Sequence, residues 1–178
     1  MIPSIDLILT TFECALTATI LPAAGNASAK EEASIGILMT RWLRDVGDHV
    51  VDAEWASHRD CRRALEDVAS LLAQGATGPQ TAAVREEARG LLACPSAERI
   101  AAARDETRFA KTLLARALRA TRAEGDDACA AAIRARLAEL AGREIERECS
   151  FGRATGIDPD AATVKPLAAI LGDESSET

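Results

Sequence analysis

The sequence predicts an all-α protein, built as an antiparallel, up-and-down bundle of about five helices with a short C-terminal helix. Apolar residues recur at intervals of three and four positions along most of the chain, which is the spacing that gives a helix one buried face. Much of the 48% apolar content is alanine, the best helix former. Aromatic residues make up only 3% and tyrosine is absent, so residues that favour β-sheet are scarce.

The length and composition of the chain predict one domain. A chain of 178 residues can bury a core without metals or disulfides. We expect a single helical-bundle domain over residues 1–172 and a disordered acidic tail over 173–178, where the residues are small and acidic. The five cysteines are widely spaced and form no Cys-x-x-Cys pair, which indicates reduced structural thiols rather than a zinc or redox centre.

Charge and hydropathy restrict the partners that we expect. The net charge is −7 and the arginines alternate with acidic residues, so no continuous basic face for nucleic acid is visible. The N-terminus lacks the basic start of a signal peptide, and Asp6 and Glu13 interrupt its apolar run. No stretch approaches 18 uncharged apolar residues. We therefore expect a cytoplasmic protein that binds neither nucleic acid nor membrane.

The first helix is expected to begin after Ser4, a good N-cap residue, and to end near Pro22. One face of this helix should be buried, because its apolar residues follow helical spacing. These residues are Ile5, Ile8, Leu9, Phe12, Leu16 and Ile20. Ser28 and Glu31 form a capping box that should start the second helix.

The second helix carries apolar residues on two sides. The main stripe, which we expect to be buried, consists of Ile35, Met39, Trp42, Val46, Val50 and Ala53. A thinner stripe nearly opposite holds Ile37, Val51 and Trp55, and we expect it to contact another helix or a second subunit. Because tryptophan is enriched in interface hot spots, Trp55 is the predicted anchor of a homodimer or of a contact with another protein.

Turn signals predict the remaining elements. The pattern of the second helix continues to Gly75, which would make an unusually long helix, so we expect a break between Ala56 and Asp60. After this helix we expect a shorter helix over about 80–93 that is stopped by Cys94 and Pro95, and then a helix that is capped by Ser96 and ended by Gly125. A long helix capped by Asp126 or Asp127 and a short helix over 166–171 should follow.

Asp45, His49 and Asp52 form the main candidate for a catalytic or metal-binding site. Their spacing places them within about 60° of arc on one helix face, beside the main apolar stripe. A carboxylate one turn before an imidazole can fix its tautomer, and the three together could ligate a divalent metal ion. The alternative is a histidine at the bundle edge, hydrogen-bonded to a local aspartate and to Arg41. No other cofactor is indicated.

A second histidine lies near acidic and thiol groups. Glu54 and His58 are four residues apart, whereas di-iron bundles use Glu-x-x-His, and His58 falls on a polar face. Cys61 follows His58 by three residues, but a nucleophilic pair would require a tertiary contact. No serine lies in a Gly-x-Ser-x-Gly context, and no phosphate-binding glycine loop is present.

These observations leave three hypotheses about function. The first is a non-enzymatic binding or accessory subunit that acts through a helical interface or an interhelical pocket, since the core is well patterned and no catalytic set is visible. The alternative is a metal-dependent hydrolase of a small phosphorylated substrate, centred on Asp45, His49 and Asp52. The third is a pocket for a small apolar ligand between alanine-rich helices.

Overall fold

All regular structure in the described part of the chain is helical. The computed structural model describes residues 4–75, 78–153 and 162–175, and within these it places every side chain except those of Asp45, Asp48 and residues 173–175. The described residues contain no strand, which confirms the predicted all-α class. In chain order the α-helices are α1 (Ile5–Ala15), α2 (Leu21–Ala23), α3 (Ala27–Val46), α4 (Val50–Gln74), α5 (Pro79–Ala93), α6 (Ile100–Ala123), α7 (Asp127–Arg153) and α8 (Leu167–Ser175).

The Cα positions divide the chain into two compact units. The first unit comprises Met1–Val50 and Glu146–Thr178, and the second comprises Val51–Ile145. α7 therefore contributes its last turns to the first unit and the rest to the second. The single domain over residues 1–172 stays a prediction. α8 extends to Ser175, into the segment predicted as a disordered tail, and residues 176–178 lie outside the described residues.

The first unit begins with a helix that changes its hydrogen-bond pattern once. The Ser4 hydroxyl accepts a hydrogen bond from the Leu7 amide at 3.2 Å, which confirms the predicted N-cap. A π-helical turn, Leu16–Ile20, separates α1 from α2, and the Leu21 amide donates to the Leu16 carbonyl five residues back. Pro22 follows at once. Because proline lacks an N–H and crowds the preceding turn, it favours the end of the regular α pattern just before it.

α1 and α3 form an antiparallel hairpin. Asn26, not Ser28, caps α3, because its Oδ1 accepts from the Ala29 amide at 2.8 Å. The predicted capping box is therefore wrong: an asparagine two residues earlier satisfies the first turn, and Ser28 lies inside the helix. The Glu13 carboxylate pairs with Arg41 and Arg44 at 2.7 and 2.9 Å, which fixes the register of the two helices.

The break in the second predicted helix lies earlier than expected. α3 ends at Val46, a 3₁₀ turn covers Gly47–His49, and α4 then runs without interruption from Val50 to Gln74. A break between Ala56 and Asp60 is therefore wrong. The three residues Gly47–His49 (glycine, aspartate and histidine) have low helix propensity, so the α-helical hydrogen-bond pattern is interrupted there.

The second unit has one core, to which α4, α5, α6 and α7 all contribute. Leu65 and Leu72 of α4, Leu113 of α6 and Ile133 of α7 are at most 1% exposed. Val84 and Ala88 of α5 complete the contact. The helices of this unit therefore bury one face each, as their apolar spacing predicts.

The chain reversal between α6 and α7 is set by local chemistry. Gly125 has φ 76°, a conformation that favours glycine, and it ends α6 as predicted. Asp126 Oδ1 accepts from the Cys129 amide at 3.0 Å and caps α7, also as predicted. α6, however, begins at Ile100 with Arg99 in the extended N-cap conformation, so the cap expected at Ser96 is wrong.

Glu124 caps α5 from a distance in sequence. Its carboxylate accepts from the Gln80 amide at 2.7 Å and from the Thr81 hydroxyl at 2.7 Å, and Gly78, the N-cap residue, has no capping side chain. The hydrogen bond from Thr81 and those from the two backbone amides outweigh desolvation and lower the pKa of Glu124. The first turn of α5 is therefore held by the end of α6.

We expect Gly78→Ala to lower the melting temperature. A Cβ atom at this position would occupy the space of the Glu124 carboxylate, which would have to leave the cap. Gly90→Ala is the matched control, because Gly90 lies in the same helix with open space around it and alanine is the better helix former by about 1 kcal/mol. Thermal unfolding followed by circular dichroism measures both. An equal rise in the two variants would show that Glu124 does not stabilise α5.

Candidate interaction surface

The apolar residues of α1 that we expected to be buried are largely exposed. Ile5 is 72% exposed, and Ile8 and Phe12 are each 52% exposed. Leu16, in the π turn, is the residue of this set that is fully buried, at 6%. The predicted buried face of the first helix is therefore wrong over most of its length.

α3 exposes part of the stripe that its sequence predicts to be buried. Ile35 and Met39, assigned to the buried stripe, are 52% and 47% exposed. Ile37, assigned to the interface stripe, is buried at 8%. The burial of Val46 and Ala53 is as predicted.

Small residues explain why Ile35 and Met39 are exposed. Ala33 and Thr40 are buried on the same side of α3 as Ile37, and Gly36 lies between them. A Cβ atom at Gly36 would stand 3.3 Å from Leu16 Cδ1, so the two helices approach closely at this point. Side chains this small carry little hydrophobic signal, yet they allow the closest packing between helices.

Most of the exposed large apolar residues of α1 and α3 lie on one side of the hairpin. At about 100° per residue, Ile8 and Phe12 lie roughly a quarter turn from the line of α1 that meets α3. On the antiparallel α3, Met39 and Leu43 lie roughly a third of a turn from the line that meets α1, toward the same side. We call this surface the apolar face: Ile5, Ile8, Phe12, Ile35, Met39 and Leu43, each 43–72% exposed.

The ion-paired groups of the hairpin lie on the side opposite the apolar face. Glu13 is held by Arg41 and Arg44, and the hydrogen bond from Arg41 is the main cause that lowers the pKa of Glu13. Leu38, 39% exposed, is on this side with Arg41, one turn away. Glu32 stands at the end of the apolar face, one turn before Ile35. The hairpin is thus amphipathic, and the six residues of the apolar face have no charged residue among them.

The N-terminal helical segment is also long and apolar enough to cross a membrane, by length and composition alone. Ile5–Ala23 spans 19 residues with a mean hydropathy of 1.5, and 6% of it is buried. Asp6 and Glu13 lie within this segment, and its mean hydropathy is high in spite of them. A core helix of a water-soluble protein can have the same composition, but it would be mostly buried.

Asp45 and His49 of the predicted polar cluster belong to the first unit, and Asp52 belongs to the second. Asp45 lies at the end of α3, His49 in the 3₁₀ turn and Asp52 in the first turn of α4, so the regular helical spacing assumed for them is interrupted. His49 is half-buried and Asp52 is exposed, and the side chain of Asp45 lies outside the described set. Among described side chains, no three of His, Cys, Asp and Glu are grouped to hold a metal ion. The cluster stays a prediction.

The predicted interface residues also fall into different units. Ile37 belongs to the first unit, whereas Val51 and Trp55 belong to the second. Val51 is 51% exposed and Trp55 is half-buried, with its ring edge-to-face against His58 at a centroid distance of 5.7 Å. Whether these three residues form one interface stays a prediction.

His58 is buried, not on a polar face as its position in the sequence suggested. It is 1% exposed, and its Nε2 atom lies 3.1 Å from Oε2 of Glu106, at ion-pair distance but outside good hydrogen-bond geometry. Glu54, its neighbour in the sequence, pairs instead with Arg104 through two contacts of 2.5 Å. The partner of the buried His58 comes from α6, 48 positions away, which sequence spacing does not reveal.

Glu106 is shared between His58 and Arg62. Arg62 donates to this carboxylate and also to the carbonyls of Leu92 and Cys94 at 3.2 and 3.3 Å. Burial alone would raise the pKa of Glu106, but the contacts with His58 and Arg62 outweigh it and lower the pKa. This network joins α4 to α6 and to the end of α5, so its role is to hold the second unit together.

A small charged cavity lies between α4 and α7. Its volume is about 50 Å³, room for one or two water molecules rather than for an organic metabolite. Asp60 and Arg143, which line it, are paired at 2.9 Å. Arg136 also lines it and pairs with Glu139 at 2.9 Å. It is not the apolar ligand pocket that we considered from the sequence.

Comparison with protein-family models, with curated proteins and with solved structures finds no match to this chain. The candidate site is therefore defined by geometry alone. Of the features described, the apolar face is the one that leaves apolar surface in contact with water over two helices.

Proposed function

We propose that the protein is a non-enzymatic binding or accessory subunit of the cytoplasm, and that its working surface is the apolar face of the α1–α3 hairpin. The observation that carries this proposal is the exposure of six large apolar side chains on one side of two adjacent helices. Monomeric soluble proteins rarely leave such contiguous patches in water, and larger ones mark contacts with other molecules.

The arrangement of charge supports a binding role for this surface. Glu13, Arg41 and Arg44 satisfy one another on the opposite side, so the hairpin keeps a stable polar side toward water. The apolar face has no comparable polar group within it. Desolvating this face on binding therefore costs little, and the hydrophobic effect favours its burial.

We expect the chain to occur in an assembly that depends on the apolar face. In extracts of the native host, separated by size under reducing conditions, the chain and the Leu38→Lys variant should elute well above the 18.8 kDa of one chain. Met39→Lys should elute as a single chain. The two substitutions add the same charge to neighbouring exposed positions of α3, and only Met39 belongs to the apolar face.

Two results would contradict the proposed function. One is elution of the unmodified chain as a single chain in both the soluble and the membrane fraction. The other is an assembly that Met39→Lys leaves intact while the variant is folded by circular dichroism.

A further inference from the structure

We propose that the occupant of the apolar face is a second copy of this chain, so that two α1–α3 hairpins pair about a twofold axis. This inference rests on the proposed function and names its partner. In such an isologous contact the same patch is used by both copies. Two hairpins joined in this way place four helices around one new apolar core, the arrangement of a four-helix bundle.

The area of the face is sufficient for such a contact. A large apolar side chain presents roughly 120–200 Å² when fully exposed, so six half-exposed ones present roughly 400–600 Å² on each copy. Pairing two copies would then bury roughly 800–1,200 Å² from these side chains alone. The upper end of this estimate reaches the range of roughly 1,200–2,000 Å² found for stable interfaces.

The spacing of the residues fits a helical partner. Ile35, Met39 and Leu43 recur every four residues and form one ridge along α3. Ile5, Ile8 and Phe12 recur at three and four residues, the spacing of a seam between helices. Ridges of this kind pack into the grooves of another helix. An identical hairpin offers the same ridges and grooves, and Glu32 lies at the end of the face, beyond the ridge that these residues form.

A lipid bilayer fits these observations less well. The net charge of −7 disfavours approach to an anionic membrane surface. Glu13 lies in the middle of the apolar segment and is paired with two arginines, and burying such charges in hydrocarbon is costly. The apolar residues of α3 add to one side of the hairpin, whereas a membrane-spanning helix needs apolar residues all round.

The test uses the purified full chain and two matched pairs of variants. Met39→Lys and Ile8→Lys place a charge on the apolar face, one on each helix. Leu38→Lys and Leu7→Lys are their controls, at neighbouring positions that point away from the face and are 39% and 56% exposed. Size-exclusion chromatography with light scattering, in a reducing buffer and from about 1 to about 100 μM, reports the mass.

We expect the unmodified chain and both controls to have twice the 18.8 kDa mass of one chain at the upper concentrations. Met39→Lys and Ile8→Lys should raise the dissociation constant at least about thirtyfold, as loss of an interface hot spot does. Circular dichroism checks that each variant is folded. Because the two face variants lie on different helices, the second still tests the proposal if the first fails to fold.

A single-chain mass for the unmodified protein throughout the series would overturn the second-copy proposal, as would a folded Met39→Lys or Ile8→Lys that still dimerises. Flotation with phosphatidylcholine vesicles then separates the two proposals. A single chain that floats, and whose Met39→Lys variant does not, identifies a bilayer as the occupant and leaves the proposed working surface in place. If the purified protein is a single chain but the assembly in host extracts is lost in Met39→Lys, the occupant of the face is a different protein.

Discussion

Glu106→Gln should destabilise the second unit by about 2–3 kcal/mol, although the substitution keeps the size of the side chain. The amide cannot neutralise Arg62, and the buried His58 loses the carboxylate 3.1 Å from its Nε2 atom. Desolvated charges that lose their partner are costly because no water replaces it. Urea unfolding followed by circular dichroism at neutral pH measures the change.

Glu87→Gln is the matched control for this prediction. Glu87 makes two hydrogen bonds with Arg116 at 2.6 and 2.7 Å, and both side chains are exposed. Exposed pairs contribute little to stability because water screens them. If the two substitutions lowered stability equally, burial of the Glu106 network would not be the source of its effect.

The dependence of stability on pH follows from the same carboxylate. The pKa of Glu106 is lower in the folded chain than its ordinary value of 4.5, so the unfolded chain binds this proton more readily. The stabilisation is therefore present above that ordinary value and is lost as the pH falls through the folded pKa. The gap in stability between the unmodified chain and Glu106→Gln should narrow as the pH is lowered from about 7 to about 3.

Leu113→Ala should cost about 3–4 kcal/mol, the usual loss for a fully buried leucine that leaves a cavity. Leu113 is 0% exposed and lies in the core shared by α4, α5, α6 and α7. Leu118→Ala, in the same helix, is the control, because Leu118 is only partly buried against that core. Leu118→Ala should lower the free energy of unfolding by less than Leu113→Ala does. A loss below about 1 kcal/mol for Leu113→Ala would mean that this core is not closely packed.

The two tryptophans make the Leu113→Ala experiment informative about domain organisation. Trp42 lies in the first unit, where its Nε1 donates to the Phe151 carbonyl at 2.5 Å, and Trp55 lies in the second unit. Fluorescence of single-tryptophan variants then follows each unit separately. One domain over residues 1–172 requires that Leu113→Ala shift both transitions together. A shift confined to Trp55 would contradict the single-domain prediction.

The features predicted well from the sequence are those decided by a few neighbouring residues. The cap at Ser4, the end of α6 at Gly125 and the cap at Asp126 each depend on contacts within four positions. The all-α class follows from composition and spacing, which every helix repeats. Such local contacts do not determine which side of a helix packs against which other helix.

The candidate site could not be predicted for this reason. Helical spacing shows that Ile35 and Met39 share a side of α3, but the side that meets α1 is chosen by Ala33, Gly36 and Thr40. Close packing of small residues then leaves the large ones exposed. The burial of His58 likewise depends on Glu106, which a distant segment brings into contact with it.

The π turn at Leu16–Ile20 affects how the N-terminal helical segment packs against α3. A turn closed by a bond five residues back holds about one residue more than an α turn, so positions beyond it are offset by roughly 100° of rotation. α2, beyond this offset, contacts α3 just as α1 does. The extra residue therefore changes which residues of the 19-residue segment face α3, and contact with α3 is kept on both sides of the π turn.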